Sequence, residues 1–264
     1  MASTEPERER ESLAEGTLIS HLLELRTRLM RAAIAVAVAA VPCLIYANKL
    51  FEYVSQPLLK VLPKDAKMIS ISVMGPFTTP FKLSLYLALL VAMPYVLFQI
   101  WAFIAPGLYR HEKRFAVPLL FSSVVLFYAG IAFAYFVVFP LMFAFFTATA
   151  PPGVQLMTDM TQYLDFVLVL FLAFGLAFEI PVAIVLLVWT GLVQLKTLTS
   201  NRGYVFLAVF IQSALITPPD VLSMTAMALP MYALYEIGIL MARILARSKL
   251  EARAREEREG ASGT

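Results

Sequence analysis

The stretch that decides the fold reads FAVPLLFSSVVLFYAGIAFAYFVVFPLMFAFFTATAPPGVQLMTD, residues 115–159, and it carries no charged side chain before Asp159. A helix needs only about 20 apolar residues to cross the hydrocarbon core of a bilayer. The stretch does not alternate in polarity as the strands of a membrane barrel do. We therefore predict that it spans the membrane as a helix.

The rest of the chain has the same apolar character. Of its 264 residues, 60% are hydrophobic and 15% are charged, whereas soluble domains carry about 25% charged residues. Six apolar segments follow one another along the chain, namely Leu29–Ala47, Leu83–Ile104, Ala116–Phe146, Tyr163–Leu192, Tyr204–Ile216 and Val221–Ala242. The fifth segment has 13 residues. As a helix it would be about 20 Å long, which is shorter than a hydrocarbon core of about 30 Å.

Lysine and arginine indicate the orientation of these segments, because the cytoplasmic loops of membrane proteins carry an excess of both. Sixteen of the 21 basic residues lie around the start of the first segment, after the second, after the fourth and after the sixth. We therefore predict that both termini are cytoplasmic. The connection Lys49–Lys82 carries the other five basic residues, and on this count it is predicted to lie outside.

The sequence lacks the motifs of the common energy-coupling and hydrolytic sites. It contains no G-x-x-x-x-G-K-[ST] phosphate loop, no H-E-x-x-H zinc motif and no G-x-S-x-G nucleophile elbow. Its single cysteine, Cys43, allows no disulfide within the chain. We predict that the protein is not an enzyme, holds no cofactor or metal and binds no nucleic acid. The energy for any transport would come from a partner or an ion gradient.

Acidic residues in or beside the apolar segments are the candidate functional groups. Glu179 lies near the middle of the fourth segment, where inserting a charge costs about 2.5–3.5 kcal/mol, so we expect it to face a partner, a cavity or water. The alternative to a functional role for Glu24 is a surface ion pair with Arg28, one helical turn along the chain. The alternative for Glu112 is a solvated charge in a short loop. Glu236 could extend to the cytoplasmic surface. Asp220 is placed to cap the sixth helix.

Seven strings of sequence, in order between about Ile19 and Arg243, carry a resemblance to a known family. The strings are HLLELR (21–26), GPFTTP (75–80), WAFIAPGLY (101–109), HE (111–112), FGLAFEIP (174–181), TPPD (217–220) and PMYALYE (230–236). Each string alone is moderately specific, and the seven together are very specific. The chain resembles TatC, the multispanning core subunit of the twin-arginine protein translocase.

The resemblance implies a function that composition does not. TatC proteins recognise signal peptides that carry consecutive arginines. With single-span TatA and TatB partners, they pass folded proteins across the bacterial cytoplasmic (inner) membrane, using the proton-motive force. The implied fold is an all-α integral membrane protein of six transmembrane helices in a curved, concave bundle, with short fifth and sixth spans and both termini cytoplasmic. A homo-oligomer within the receptor complex is also expected.

The candidate residues fall into three predicted sites. The signal-peptide site comprises Glu24, Glu112, Phe103, His21, Arg26, Tyr109 and Arg110. The concave transport face comprises Glu179, Pro57, Phe77, Asp220 and Glu236. The site that docks partner helices comprises Gln212, Thr217 and Met224.

Two residues depart from the family pattern. Asp165 stands where a small neutral residue is common, and Met224 stands where a polar residue often helps to dock the TatA or TatB membrane helix. Our hypothesis is that Gln212 supplies the polar group in place of Met224.

The predicted domain organisation has three parts: a flexible cytoplasmic N-terminus (1–17), a six-helix membrane domain (18–247) and a charged cytoplasmic tail (248–264). The alternative function is a proton-coupled secondary transporter of a small solute, with Glu179 as its proton site. Such transporters often show repeat symmetry, which this sequence does not show clearly. An intramembrane enzyme built on Glu179 and Asp220 has no motif to support it.

Overall fold

The computed structural model describes residues 5–61, 68–104, 116–149, 157–217 and 220–262, and within these ranges the regular structure is helical. One five-residue turn, Ala134–Val138, is a π-helix that joins α4 to α5. The helices are α1 (Glu5–Ile45), α2 (Ala47–Val61), α3 (Gly75–Ile104), α4 (Ala116–Phe133), α5 (Phe139–Thr149), α6 (Met160–Ala177), α7 (Ile180–Trp189), α8 (Leu195–Ser200), α9 (Arg202–Ile216) and α10 (Val221–Ser262).

The predicted apolar segments coincide with helices. Within the described ranges, five stretches are long and apolar enough to cross a membrane, namely Leu22–Ile45, Gly75–Phe103, Val117–Thr149, Met160–Trp189 and Val221–Arg247. The short fifth segment lies in α9, whose 15 residues extend roughly 22 Å at 1.5 Å per residue. The all-α membrane fold class is thereby confirmed. The side of the membrane on which each terminus lies stays a prediction.

The boundaries differ from the predicted ones in three places. Lys82 was predicted to belong to the first outside connection, but α3 begins at Gly75 and includes it. The fourth segment was predicted as one span, but it is broken at 178–179 into α6 and α7. The sixth helix is longer than expected, because α10 continues without interruption from the apolar segment into the charged tail.

The chain divides into two compact units, and the first lies within Met1–Ala47 and Ser84–Leu120. Its described part contains α1 and most of α3. In that part of α3 the buried side chains include Met93, Leu97, Gln99 and Trp101. Most of the apolar side chains of α1 are exposed in the isolated chain, which is expected of a helix whose surroundings are lipid or another protein.

The second unit lies within Asn48–Leu83 and Phe121–Thr264 and has an aromatic core. Along α4 and into the π-helical turn, the buried residues recur at positions 123, 127, 130 and 134, a spacing that places them on one face of the helix. That face packs on α6, where Gly175 leaves room for the ring of Phe127. The phenyl rings of Phe139 and Phe171 are stacked with centroids 5.3 Å apart.

Candidate functional site

The first predicted acid of the signal-peptide site, Glu24, lies half-buried on α1. Its carboxylate forms an ion pair with Arg28 one turn along the same helix. The Nε of Arg28 donates to Glu24 Oε1 at 2.9 Å, and its Nη2 donates to the same oxygen at 2.5 Å. The ion pair between Glu24 and Arg28 that the four-residue spacing allows is therefore formed, and it uses one of the two carboxylate oxygens of Glu24.

The other predicted members of this site are only partly described. Phe103 is half-buried in the last turn of α3, and Arg26 is exposed on α1. The backbone of His21 is helical, but its side chain lies outside the described structure. Tyr109, Arg110 and Glu112 lie outside the described residues. The grouping of these residues into one site therefore stays a prediction.

Glu179 occupies the break between α6 and α7. Its backbone N–H donates to the carbonyl of Leu176 at 3.1 Å, and Pro181 follows in the first turn of α7. The hydroxyl of Ser123 donates to Glu179 Oε2. Glu179 Oε1 is buried and finds no donor within the described part of the chain. The carboxylate thus has one polar partner and keeps further capacity to accept hydrogen bonds. That it faces a concave surface stays a prediction.

The remaining residues of the predicted transport face lie in different helices. Phe77 is 71% exposed near the start of α3, and its ring stacks on that of Phe81. Pro57 lies in α2, and its side chain is outside the described structure. Asp220 Oδ1 accepts from the backbone N–H of Ser223 at 2.7 Å, so it caps the first turn of α10 as its position before the helix predicts.

Glu236 belongs to a charged cluster that joins α9 and α10. Arg202 Nη2 donates to Glu236 Oε2 at 2.8 Å, and the hydroxyl of Tyr232 donates to Glu236 Oε1 at 3.0 Å. The hydroxyl of Tyr235 donates to the carbonyl of Leu198 at 2.8 Å. Both oxygens of Glu236 thus have partners, and its side chain is 34% exposed. Whether it extends to the cytoplasmic surface stays a prediction.

Comparison with known proteins identifies the family. The profile of the family described as Sec-independent protein translocase protein (TatC) matches residues 20–230. The chain belongs to the TatC family. It is 53% identical over 226 residues to the TatC protein of Haemophilus influenzae, covering 86% of this chain and 88% of that relative. It is also 53% identical over 227 residues to the TatC protein of Escherichia coli K12, covering 86% and 88%.

Two solved structures described as the twin-arginine translocase receptor TatC have the same fold. One aligns with a TM-score of 0.75 at 36% identity and covers 85% of this chain and 98% of that chain. The other, determined in the detergent DDM, aligns with a TM-score of 0.78 at 37% identity and covers 84% and 99%. The resemblance predicted from the seven sequence strings is confirmed.

Membership of the TatC family establishes the broad function. The chain is a bacterial inner-membrane protein and the core subunit of the Sec-independent, twin-arginine translocase. The family's part in this machine is transport and not catalysis. A proton-coupled transporter of small solutes, the predicted alternative, is not favoured.

The residues predicted to dock partner helices differ in exposure in this TatC chain. Gln212 is exposed on α9, whereas Met224 is half-buried on α10. Thr217 is buried, and its hydroxyl donates to the carbonyl of Ser213 at 2.9 Å. Of these three side chains, only Gln212 combines a polar group with exposure.

Sequence reasoning missed a set of contacts that joins the connection between α2 and α3 to the start of α6. Ile69 N–H donates to the carbonyl of Thr158 at 3.0 Å, and Met160 N–H donates to the carbonyl of Ile69 at 2.9 Å. Asp159 Oδ2 accepts from the N–H of Ile71 at 2.9 Å. The Ile71 N–H, together with the N–H groups of Gln162 and Thr161, holds the pKa of Asp159 below its ordinary value.

Two side-chain contacts continue this junction along α3 and α6. The hydroxyls of Thr79 and Thr161 lie 3.0 Å apart, and Lys82 forms an ion pair with Asp165. Asp165, which departs from the family pattern, thus has a specific partner. The sequence contained a partial signal for this pair, namely a base just before the second apolar segment and an acid within the fourth.

Proposed function

We propose that this member of the TatC family is the receptor that binds twin-arginine signal peptides at the cytoplasmic face of the membrane. Glu24 and Glu112 are the acids that pair with the two signal arginines. A guanidinium group is planar and permanently charged, and it suits pairing with a carboxylate through two N–H donors. Two acids are needed because the signal presents two such groups.

The geometry at Glu24 carries this proposal. Two N–H donors of the Arg28 guanidinium converge on Glu24 Oε1, so the carboxylate is already oriented towards an arginine side chain. This pairing leaves Oε2 to accept from a second guanidinium. The resemblance supplies Glu112 and the aromatic Phe103. In a translocase of this family, binding of the signal peptide would select folded cargo for export driven by the proton-motive force.

The test is a photocrosslinking titration of a twin-arginine signal peptide against the full chain in membranes. A hydrogen bond to a charged group contributes about 1.5–3 kcal/mol. Glu24→Ala and Glu112→Ala should therefore each weaken binding roughly ten- to a hundredfold, at about 1.4 kcal/mol per decade. Glu24→Asp should lose less, because it keeps the charge.

Glu52 supplies the matched control, because it is an exposed glutamate on α2, in the connection predicted to lie outside. Glu52→Ala should bind the signal peptide as the unaltered chain does. Wild-type affinity in both Glu24→Ala and Glu112→Ala would refute the assignment of the two acids, while the family membership would stand.

The partners that complete this function are TatA- and TatB-type single-span proteins, and the receptor works as a homo-oligomer with them. Gln212 supports a docking surface on α9, because it exposes an amide on a helix that is otherwise mostly apolar. An amide in hydrocarbon is stabilised by a hydrogen bond from a neighbouring helix. A TatA- or TatB-type helix with a polar side chain would provide that bond.

Disulfide crosslinking tests this docking surface in a chain whose native Cys43 is replaced by alanine. A cysteine at 212 should crosslink to a cysteine in the partner helix, whereas one at the buried Val209 should not. Equal crosslinking at both positions, or none at 212, would show that partners dock elsewhere.

A further inference from the structure

The amphipathic helix α2 contains a backbone carbonyl that its own helix cannot satisfy. In an α-helix the carbonyl of residue 53 accepts from the N–H of residue 57. Residue 57 is proline, which has no N–H. The carbonyl of Tyr53 therefore lacks its helical donor, and a carbonyl left unpaired away from water costs about 1–3 kcal/mol.

Tyr135 supplies that donor. Its hydroxyl donates to the carbonyl of Tyr53 at 3.0 Å. Tyr135 lies in the π-helical turn Ala134–Val138, in which the N–H of Phe139 donates to the carbonyl of Ala134. A π-helical turn contains one more residue than an α-helical turn and often marks a functional site in a helix. Here the turn lies in the third membrane span.

A second tyrosine makes a parallel contact that serves as an internal comparison. The hydroxyl of Tyr163, a buried residue of α6, donates to the carbonyl of Val54 at 2.9 Å. The carbonyl of Val54 also faces the N–H of Leu58 in the regular helical pattern. Losing the Tyr163 hydroxyl would therefore leave that carbonyl with a donor. Losing the Tyr135 hydroxyl would leave the carbonyl of Tyr53 with none among the described residues.

We propose that Tyr135 is a positioning residue for transport, because its hydroxyl replaces the N–H that Pro57 lacks and thereby fixes α2 to the third span. The aromatic rings of Phe139 and Phe171 hold Tyr135 in place, with centroids 6.3 Å and 6.4 Å from its own. The inference rests on the established transport function and is independent of the proposed signal-peptide acids. It gives Pro57 a specific function, which is to leave one carbonyl open for a bond between helices.

Hydrogen–deuterium exchange of the amides of α2, measured on the full chain in nanodiscs, tests this inference. Tyr135→Phe keeps the ring and should accelerate exchange across 47–61 about tenfold, which corresponds to losing about 1.4 kcal/mol. Tyr163→Phe, the matched control, should accelerate it no more than about threefold. Export of a twin-arginine reporter should fall with Tyr135→Phe, while binding of the signal peptide stays unchanged.

The decisive comparison is made in a Pro57→Ala background. Alanine restores an N–H at residue 57, so adding Tyr135→Phe should then cause little further acceleration of exchange. Unchanged exchange in Tyr135→Phe alone would overturn the proposal. An acceleration of the same size with and without Pro57 would overturn it as well. If signal-peptide binding falls while α2 exchange does not change, Tyr135 acts on the signal site and the positioning function is wrong.

Discussion

Gly130 lies where the third span comes close to the backbone at the end of α6. A Cβ atom added there would lie 2.5 Å from the carbonyl oxygen of Phe174 and 3.0 Å from the Cβ of Phe178. The carbonyl of Phe174 cannot easily move, because it accepts from the N–H of Phe178 at 3.0 Å. Gly130→Ala must therefore displace one helix relative to the other.

The size of this displacement sets the expected loss. Real Cβ atoms essentially never approach another heavy atom within 3.0 Å, so the oxygen at 2.5 Å must move by at least the difference, 0.5 Å. Overpacking of this kind costs about 1–3 kcal/mol. Alanine regains up to about 1 kcal/mol in helix propensity. With the full helix gain, the net loss in the free energy of unfolding is about 0–2 kcal/mol. Relative to a helical glycine-to-alanine change that meets no neighbour, the loss is about 1–3 kcal/mol.

Equilibrium unfolding in mixed micelles measures this loss, and Gly203→Ala is the control. A Cβ at residue 203 would meet nothing within 4 Å, so that variant should be as stable as the unaltered chain or slightly more stable. Gly130→Ala should also slow the export of a reporter, because Phe174 and Phe178 lie directly before Glu179. If the two variants are equally stable, the close approach at Gly130 is not a packing constraint and the reasoning fails.

Two further predictions concern the junction between α6, the start of α3 and the connection that precedes α3. The pKa of Asp159 is lowered in the folded chain, so its ionised carboxylate stabilises the fold. This stabilisation should be complete above about pH 4, the ordinary pKa of aspartate. It should disappear as the pH falls through the lowered pKa. The difference in melting midpoint between the unaltered chain and Asp159→Asn should therefore shrink below about pH 4, and a constant difference would contradict this. Lys82 and Asp165 are 45% and 46% exposed, so their ion pair contributes at most about 1 kcal/mol to the free energy of unfolding. Either charge left alone in a membrane span is costly, however. Lys82→Met and Asp165→Ala should each lower the melting midpoint more than the double variant does, and equal losses in all three would exclude a specific pair.

The long apolar runs were predictable because lipid demands them. A span must be apolar over about 20 residues whatever it packs against, so a hydropathy count located the segments and set their limits to within about eight residues. The same requirement hides the contacts within the membrane, because a helix that is apolar on every side carries no periodic signal for its packing face. The face of α4 that carries Ser123 and Gly130 could not be read for this reason.

Contacts between distant segments were missed for a different reason. The hydrogen bonds that link Ile69 to Thr158 and Met160 use only backbone atoms, and backbone groups leave no pattern in the sequence. The hydrogen bond from Tyr135 to the carbonyl of Tyr53 had a partial signal in the sequence. Pro57 indicates that one carbonyl of α2 lacks its helical donor, but the sequence does not indicate which residue provides the replacement donor.

The break that carries Glu179 is held from both sides by glycine contacts. Gly130 on α4 lies against the backbone of Phe174 just before the break, and Gly238 on α10 lies against Pro181 just after it, with a Cβ position 2.9 Å from the Cα of Pro181. Small residues let membrane helices approach to backbone contact, and interiors packed to this density transmit displacements instead of absorbing them. The location of the Glu179 carboxylate is therefore fixed by two neighbouring helices as well as by its own. A side chain added at Gly130 or Gly238 should therefore displace the Glu179 carboxylate without contacting it.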